Sequence, residues 1–288
     1  MKKNIKIVFI VCIVMVLAIS MCSCSGLLNN MLSNSTPTHE YVTIDVENLE
    51  DVSIAETVAY SIVNSCVRVL SSFSNGATAA GAGFFVTQNG YVVTNRHVVI
   101  AYRSTEKDYS NILGETPMKA SYQVCFAEST LAYDAILVAY SNDCDVAILK
   151  VSSITEEYPY LIFEEDTENE KDDSSLNLRY GQTVFTFGNP ENMGMVFTSC
   201  KVASPQTYLS KTDTYPSIIL DGNINHGNSG GVLVNNKSKV VGIVFARIEG
   251  SKSSSTNAAY GLGCAVPGVY VKKFLKANNV EYKTAYPE

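Results

Sequence analysis

An all-β fold, a sandwich or a barrel, is predicted for this 288-residue chain by three observations. The apolar stretches between about residues 67 and 160, and again between 183 and 266, are short, β-branched and separated by turn residues, the pattern of many strands at regular spacing. Asn89-Gly90 joins two of these runs, Phe84-Phe85-Val86 and Tyr91-Val92-Val93, and Asn-Gly in that setting is a strong hairpin signal. The composition, 46% hydrophobic and 17% charged, is that of a globular chain long enough to bury a substantial core.

The elements follow in chain order. Lys2, Lys3 and Lys6 precede thirteen apolar residues, Ile7 to Ile19, too few to span a membrane and the right length for the core of an export signal over residues 1–23. Met21-Cys22-Ser23-Cys24 resembles a bacterial lipobox with Cys24 as the lipidated residue. That reading is preferred over plain secretion and over an uncleaved anchor. Residues 24–50, rich in Ser, Asn, Thr and Pro up to residue 40, read as a tether. The chain is thus expected outside the cytoplasm, in a bacterial cell envelope, joined to the membrane by lipid or else secreted. Ile54, Val58 and Ile62 have helical spacing within residues 52–64, leading into Val67-Arg68-Val69-Leu70. Residues 51–160 form a first β unit, with Tyr122–Phe126 and Ala135–Tyr140 among its strands. A loop over 161–178 follows, and 179–279 form a second β unit from Thr183–Phe187 to Gly263–Val266. Val269–Ala277 is expected to be a closing helix after Pro267.

Charge and cysteine usage exclude several functions. With a net charge of −7 there is no electrostatic footprint for nucleic acid. The acidity is concentrated in Glu164–Asp173, read as a solvated loop rather than a calcium site, because no glycine stands at the sharp-turn position of an EF-hand. Of eight cysteines, Cys12, Cys22 and Cys24 lie in the N-terminal segment. The other five, Cys66, Cys125, Cys144, Cys200 and Cys264, fall mostly in apolar runs, and an odd number of such thiols reads as buried and unpaired. Neither Cys-x-x-Cys nor His-x-x-x-His spacing occurs, so no metal and no cofactor is expected.

The chemistry lies in Gly227-Asn228-Ser229-Gly230-Gly231. A serine flanked by glycines can sit on a tight turn with its hydroxyl exposed and backbone N–H groups converging beside it, as nucleophilic acyl transfer requires. The pattern also fits the G-x-S-x-G elbow of α/β-hydrolases, whose order is Ser, acid, His. The chain has only His39, His97 and His226, all before Ser229, so that reading fails. The order His, Asp, Ser is available: His97 follows the hairpin strands, and Asp143 and Asp145 precede the apolar run Val146–Leu149.

Six stretches together resemble the protease domain of trypsin-like serine proteases of the HtrA (DegP/DegQ/DegS) type. They are Gly81–Phe84, Thr94-Asn95-Arg96-His97-Val98-Val99, Asp145–Lys150, Phe187-Gly188-Asn189-Pro190, Gly227–Gly231 and Ala259–Pro267, spanning roughly residues 55–268. The resemblance implies two six-stranded antiparallel β-barrels with the active site in the cleft between them. It implies His97 as general base, Asp145 as its orienting partner with Asp143 as runner-up, and Ser229 as nucleophile. The backbone N–H groups of Gly227 and Ser229 would form the oxyanion hole. The 21 residues after Pro267 are too few for a PDZ module, so a protease domain alone is expected.

For the substrate pocket the resemblance places Asn223 where trypsin has a carboxylate, Val244, Phe245 and Ala246 as an apolar wall, and His226 at the lip. A small or medium aliphatic residue before the scissile bond is expected, not Lys or Arg; an acidic one is the alternative that His226 would favour. The implied activity is peptide-bond hydrolysis in protein or peptide substrates, for envelope quality control or processing. A homo-oligomer is possible in this family. The competing function is a catalytically silent protease-like binding or scaffold domain.

Overall fold

The computed structural model describes residues 53–102, 117–127, 129–152, 157–166, 178–210, 213–247 and 261–286, without the side chains of 246 and 247. The export signal, Cys24, the tether, His39 and most of the acidic run beyond Asp166 lie outside the described residues.

Twelve strands close into two six-stranded barrels. The first contains β1 (Cys66–Phe73), β2 (Thr78–Phe85), β3 (Tyr91–Thr94), β4 (Ala120–Phe126), β5 (Ala132–Tyr140) and β6 (Ala147–Val151), in the order β1-β2-β3-β6-β5-β4. The second contains β7 (Thr183–Gly188), β8 (Val196–Thr207), β9 (Ser217–Asp221), β10 (Val232–Val234), β11 (Val240–Arg247) and β12 (Leu262–Pro267), in the order β10-β11-β12-β9-β8-β7. Every strand pair is antiparallel, and closure leaves neither sheet with an open edge.

Helix α1 (Ile54–Ile62) begins at a capping box: the Glu56 N–H donates to the Ser53 side chain, and the Glu56 carboxylate accepts the Ser53 N–H. Val58 and Ile62 are buried as the helical spacing predicts, but Ile54, in the first turn, is 61% exposed. After β3 the chain makes one helical turn, α2 (Arg96–Val99), which carries His97. The predicted closing helix is α3 (Gly268–Ala277).

Each barrel has its own apolar filling. Val67, Phe85, Val92 and Leu149 pack in the first, where Phe85 stacks on Tyr158 at 4.7 Å; Val184, Leu220, Leu233 and Val244 pack in the second. A third cluster joins Phe84, Val93 and Ile148 of the first barrel to Phe187, Val232 and Val266 of the second, with Val58 of α1 and Val271 of α3. The two barrels therefore share a buried apolar seam, and truncating a fully buried residue there, such as Phe84, costs about 3–5 kcal/mol. The five described cysteines are all free and buried.

Candidate active site

The carboxylate on His97 is that of Asp145. Its Oδ2 lies 2.5 Å from His97 Nδ1, and its Oδ1 accepts the His97 backbone N–H at 3.0 Å, so both oxygens bind one residue. Asp143, the alternative acid, is exposed, and its carbonyl accepts from Thr214 Oγ1 at 3.4 Å. The loop before β6 is tightly built: Ser141 Oγ accepts the N–H groups of Asp143 and Cys144, each at 3.1 Å, and Arg96 Nη1 donates to the Ser141 carbonyl at 3.2 Å. The Asp145 side chain is 17% exposed and that of His97 48%, so the imidazole is open to solvent while its partner is largely screened from it.

Tyr215 of the second barrel is also hydrogen bonded to the Asp145 backbone, and burial pushes its hydroxyl pKa up to about 12. It remains a neutral phenol at neutral pH.

Ser229 lies in the second barrel, on the turn between β9 and β10. Gly227 has φ +90 and Gly230 φ +85, a region closed to most L side chains. A Cβ at Gly227 would stand 2.0 Å from the Asn189 carbonyl oxygen, and one at Gly230 2.0 Å from that of Ala82. The turn is pinned by bonds from both barrels: Ala82 N–H donates to the Ser229 carbonyl at 2.8 Å, and Gly230 N–H to the Val244 carbonyl at 2.8 Å and to Asn95 Oδ1 at 2.6 Å. The Ser229 hydroxyl donates to the Phe245 carbonyl at 3.2 Å. Phe245 is the extra residue of a bulge between Val244 and Ala246, where β11 slips against β12, and this bulge brings its carbonyl to the serine.

Among the described residues the N–H groups of Gly227 and Ser229 donate to no protein acceptor, while those of Asn228, Gly230 and Gly231 are all engaged. Two free backbone donors, one of them on the half-buried serine itself, can receive a developing oxyanion.

The pocket residues read from the sequence separate. Asn223 and His226 are exposed on the loop leading to Ser229, and Phe245 is half-buried. Val244 is fully buried in the second barrel's core, because β11 alternates its faces and Val244 takes the inward one. The side chain of Ala246 lies outside the described residues. Ile224 was not anticipated: it is 5% exposed and packs directly on the backbone of Gly263, where a Cβ would come within 2.4 Å of it. An apolar residue five before the serine was the only signal for it. Among the described residues no cluster of three or more His, Cys, Asp or Glu is placed to hold a metal ion.

Two closed barrels with a His–Asp pair from one and a glycine-flanked serine from the other define a chymotrypsin-like peptidase fold. The chain belongs to the trypsin-like peptidase domain family, whose model matches residues 81–243. It is 28% identical over 213 residues to the serine endoprotease DegS of Salmonella typhimurium, covering 73% of this chain and 51% of that protein. It is 28% identical over 203 residues to a probable periplasmic DegP-like serine endoprotease of Brucella suis, covering 70% of this chain and 34% of that one. The chain thus spans about half or less of the length of these relatives. The solved structure of the HtrA-type protease AlgW with tripeptide matches at a TM-score of 0.58 and 22% identity, over 80% of this chain and 64% of that one.

Proposed function

We propose that the chain is a serine endopeptidase of the HtrA type. His97 takes the Ser229 proton as the hydroxyl attacks a peptide carbonyl and returns it to the leaving amine. Asp145 holds the imidazole with Nδ1–H toward it and Nε2 toward the serine. The observation that carries this reading is the 2.5 Å His97–Asp145 pair held by two carboxylate bonds. For attack, the Ser229 hydroxyl must leave the Phe245 carbonyl it donates to and turn to His97. The Gly227 and Ser229 N–H groups bind the oxyanion, each worth about 2.7–4 kcal/mol of barrier.

The exposed Asn223 and His226 and the Val244–Ala246 segment of β11, whose Phe245 is half-buried, border the pocket for the residue before the scissile bond. With an uncharged Asn223 where trypsin has a carboxylate, and an apolar Val244–Phe245–Ala246 segment, a small or medium aliphatic side chain is favoured over Lys or Arg. The relatives named for the periplasm support an extracytoplasmic location, to which the export signal, Cys24 lipidation and the tether would hold the enzyme.

The full chain is tested with a fluorophosphonate probe against Ser229→Ala. Labelling lost in the variant is the expected result. A folded wild-type protein that does not label contradicts the proposal and favours the silent scaffold.

A further inference from the structure

The geometry points to Asn95 as a positioning residue of the Ser229 site, an inference that rests on the hydrolase reading above. Asn95 immediately precedes the turn carrying His97 and is fully buried. Its Nδ2–H donates to the Asp145 carbonyl at 2.6 Å, and its Oδ1 accepts the Gly230 N–H at 2.6 Å. One side chain, two residues from His97, therefore bonds the peptide unit of the acid and the peptide unit next to the nucleophile. The first belongs to its own barrel. The second belongs to the other, 135 positions along the chain.

A primary amide suits this place because it offers a donor and an acceptor in one plane on a short stem. An apolar side chain offers neither, and a carboxylate lacks the donor. Gly230 shares its N–H between Asn95 and the Val244 carbonyl in a three-centre bond, so the nucleophile turn is tied to β11 and to the His97 turn at once. Without Asn95 the Ser229 turn keeps its tie to β11 and loses its side-chain tie to the His97 turn, and the Asp145 carbonyl loses a buried donor. The hydroxyl, the imidazole and the carboxylate then hold their mutual positions less closely, while the substrate pocket of the second barrel is untouched.

The test uses the full chain as wild type, Asn95→Leu and Asn95→Asp, with fluorophosphonate labelling followed over probe concentration and thermal unfolding alongside. Folded Asn95→Leu is expected to show a maximal labelling rate lower by about 10²-fold, with the half-saturating concentration within about threefold of wild type. A wild-type maximal rate in that folded variant overturns the inference.

Asn95→Asp gives a signature that a purely structural role would not. The charged and titratable groups around this unit are Arg96, His97, Asp143, Cys144 and Asp145 of the first barrel and Tyr215 of the second. A protonated carboxyl at position 95 reproduces the donor and the acceptor, whereas an ionised one loses the donor and adds a charge facing the Asp145 carbonyl. Its rate relative to wild type is expected to rise as pH falls from about 8 to about 5. That ratio decides if Asn95→Leu does not fold, and a flat ratio overturns the inference. A wild type as unreactive as Ser229→Ala overturns the hydrolase reading and this inference together. A reactive wild type with unaffected variants overturns this inference alone.

Discussion

The backbone N–H of Glu191 donates to the His226 carbonyl at 2.7 Å. The peptide bond is planar and trans, so the Gly227 N–H at the other end of that peptide unit points the opposite way. Glu191 makes this bond at φ 50 and its neighbour Asn192 sits at φ 56, left-handed conformations that cost non-glycine residues about 1–2 kcal/mol each. The loop Asn189–Gly194 is held in this shape by its own bonds, from Gly194 N–H to Asn189 Oδ1 at 3.1 Å and from Met193 N–H to the Pro190 carbonyl at 3.0 Å.

Glu191→Gly keeps the N–H and relieves the strain, so labelling of Ser229 is expected within about twofold of wild type and the melting temperature equal or higher. Glu191→Pro removes the donor and demands a negative φ; labelling is expected to fall by about 10² or more, the cost of one oxyanion donor. A folded Glu191→Pro protein that labels normally would show that this bond does not orient Gly227.

Asp145→Asn keeps the shape of the side chain but can present its amide N–H groups to the imidazole, favouring the wrong tautomer. Turnover is expected to drop by about 10⁴-fold with little change in melting temperature. Asp143→Asn, on the exposed residue two positions away, is expected to leave turnover within about twofold. Peptide hydrolysis by the two variants decides between the carboxylates.

Gly230→Ala brings a methyl group onto the Ala82 carbonyl at a backbone angle that alanine adopts poorly. The turn must shift, and both stability, by about 3 kcal/mol, and labelling are expected to suffer. Denaturant unfolding with m unchanged would check the first, and a variant as stable as wild type would contradict the packing described here.

Burial, and secondarily the Asp221 charge, push the Cys200 thiol up to about 11; burial does the same for Cys264. A raised pKa in the folded state gives stability that is complete below about pH 9 and is lost as pH rises toward 11. Melting temperature is expected to fall across that window, and Cys200→Ala to flatten the fall by at most about 2 kcal/mol at its upper end. An identical alkaline slope in the variant would rule Cys200 out as its source.

The strands were legible because a strand is a local pattern. Tyr122–Phe126, Ala135–Tyr140, Thr183–Phe187 and Gly263–Val266 all fall within β4, β5, β7 and β12, where β-branched and aromatic residues meet a pleated, half-buried surface. Periodicity was less informative at the ends of elements. Ile54 has the right spacing for the buried face of α1 yet lies in the first turn, beyond the reach of the core. A run of apolar residues likewise does not say which face each will take: Val244 turns its side chain into the second barrel's core, and a bulge at Phe245 changes the alternation beside it.

The sequence by itself determined the two β units, the free buried thiols, and glycines at the two positions beside Ser229 that need positive φ, and it supplied His, Asp and Ser in the one order that the proposed site uses. Only the tertiary structure decided which carboxylate meets His97, that Ile224 rests on Gly263, and that Asn95 joins Asp145 to Gly230. The reason is distance along the chain. Strand and turn preferences act over a few residues, whereas these contacts connect residues 39 to 135 positions apart and exist only once each barrel has closed and the shared apolar seam has set one against the other.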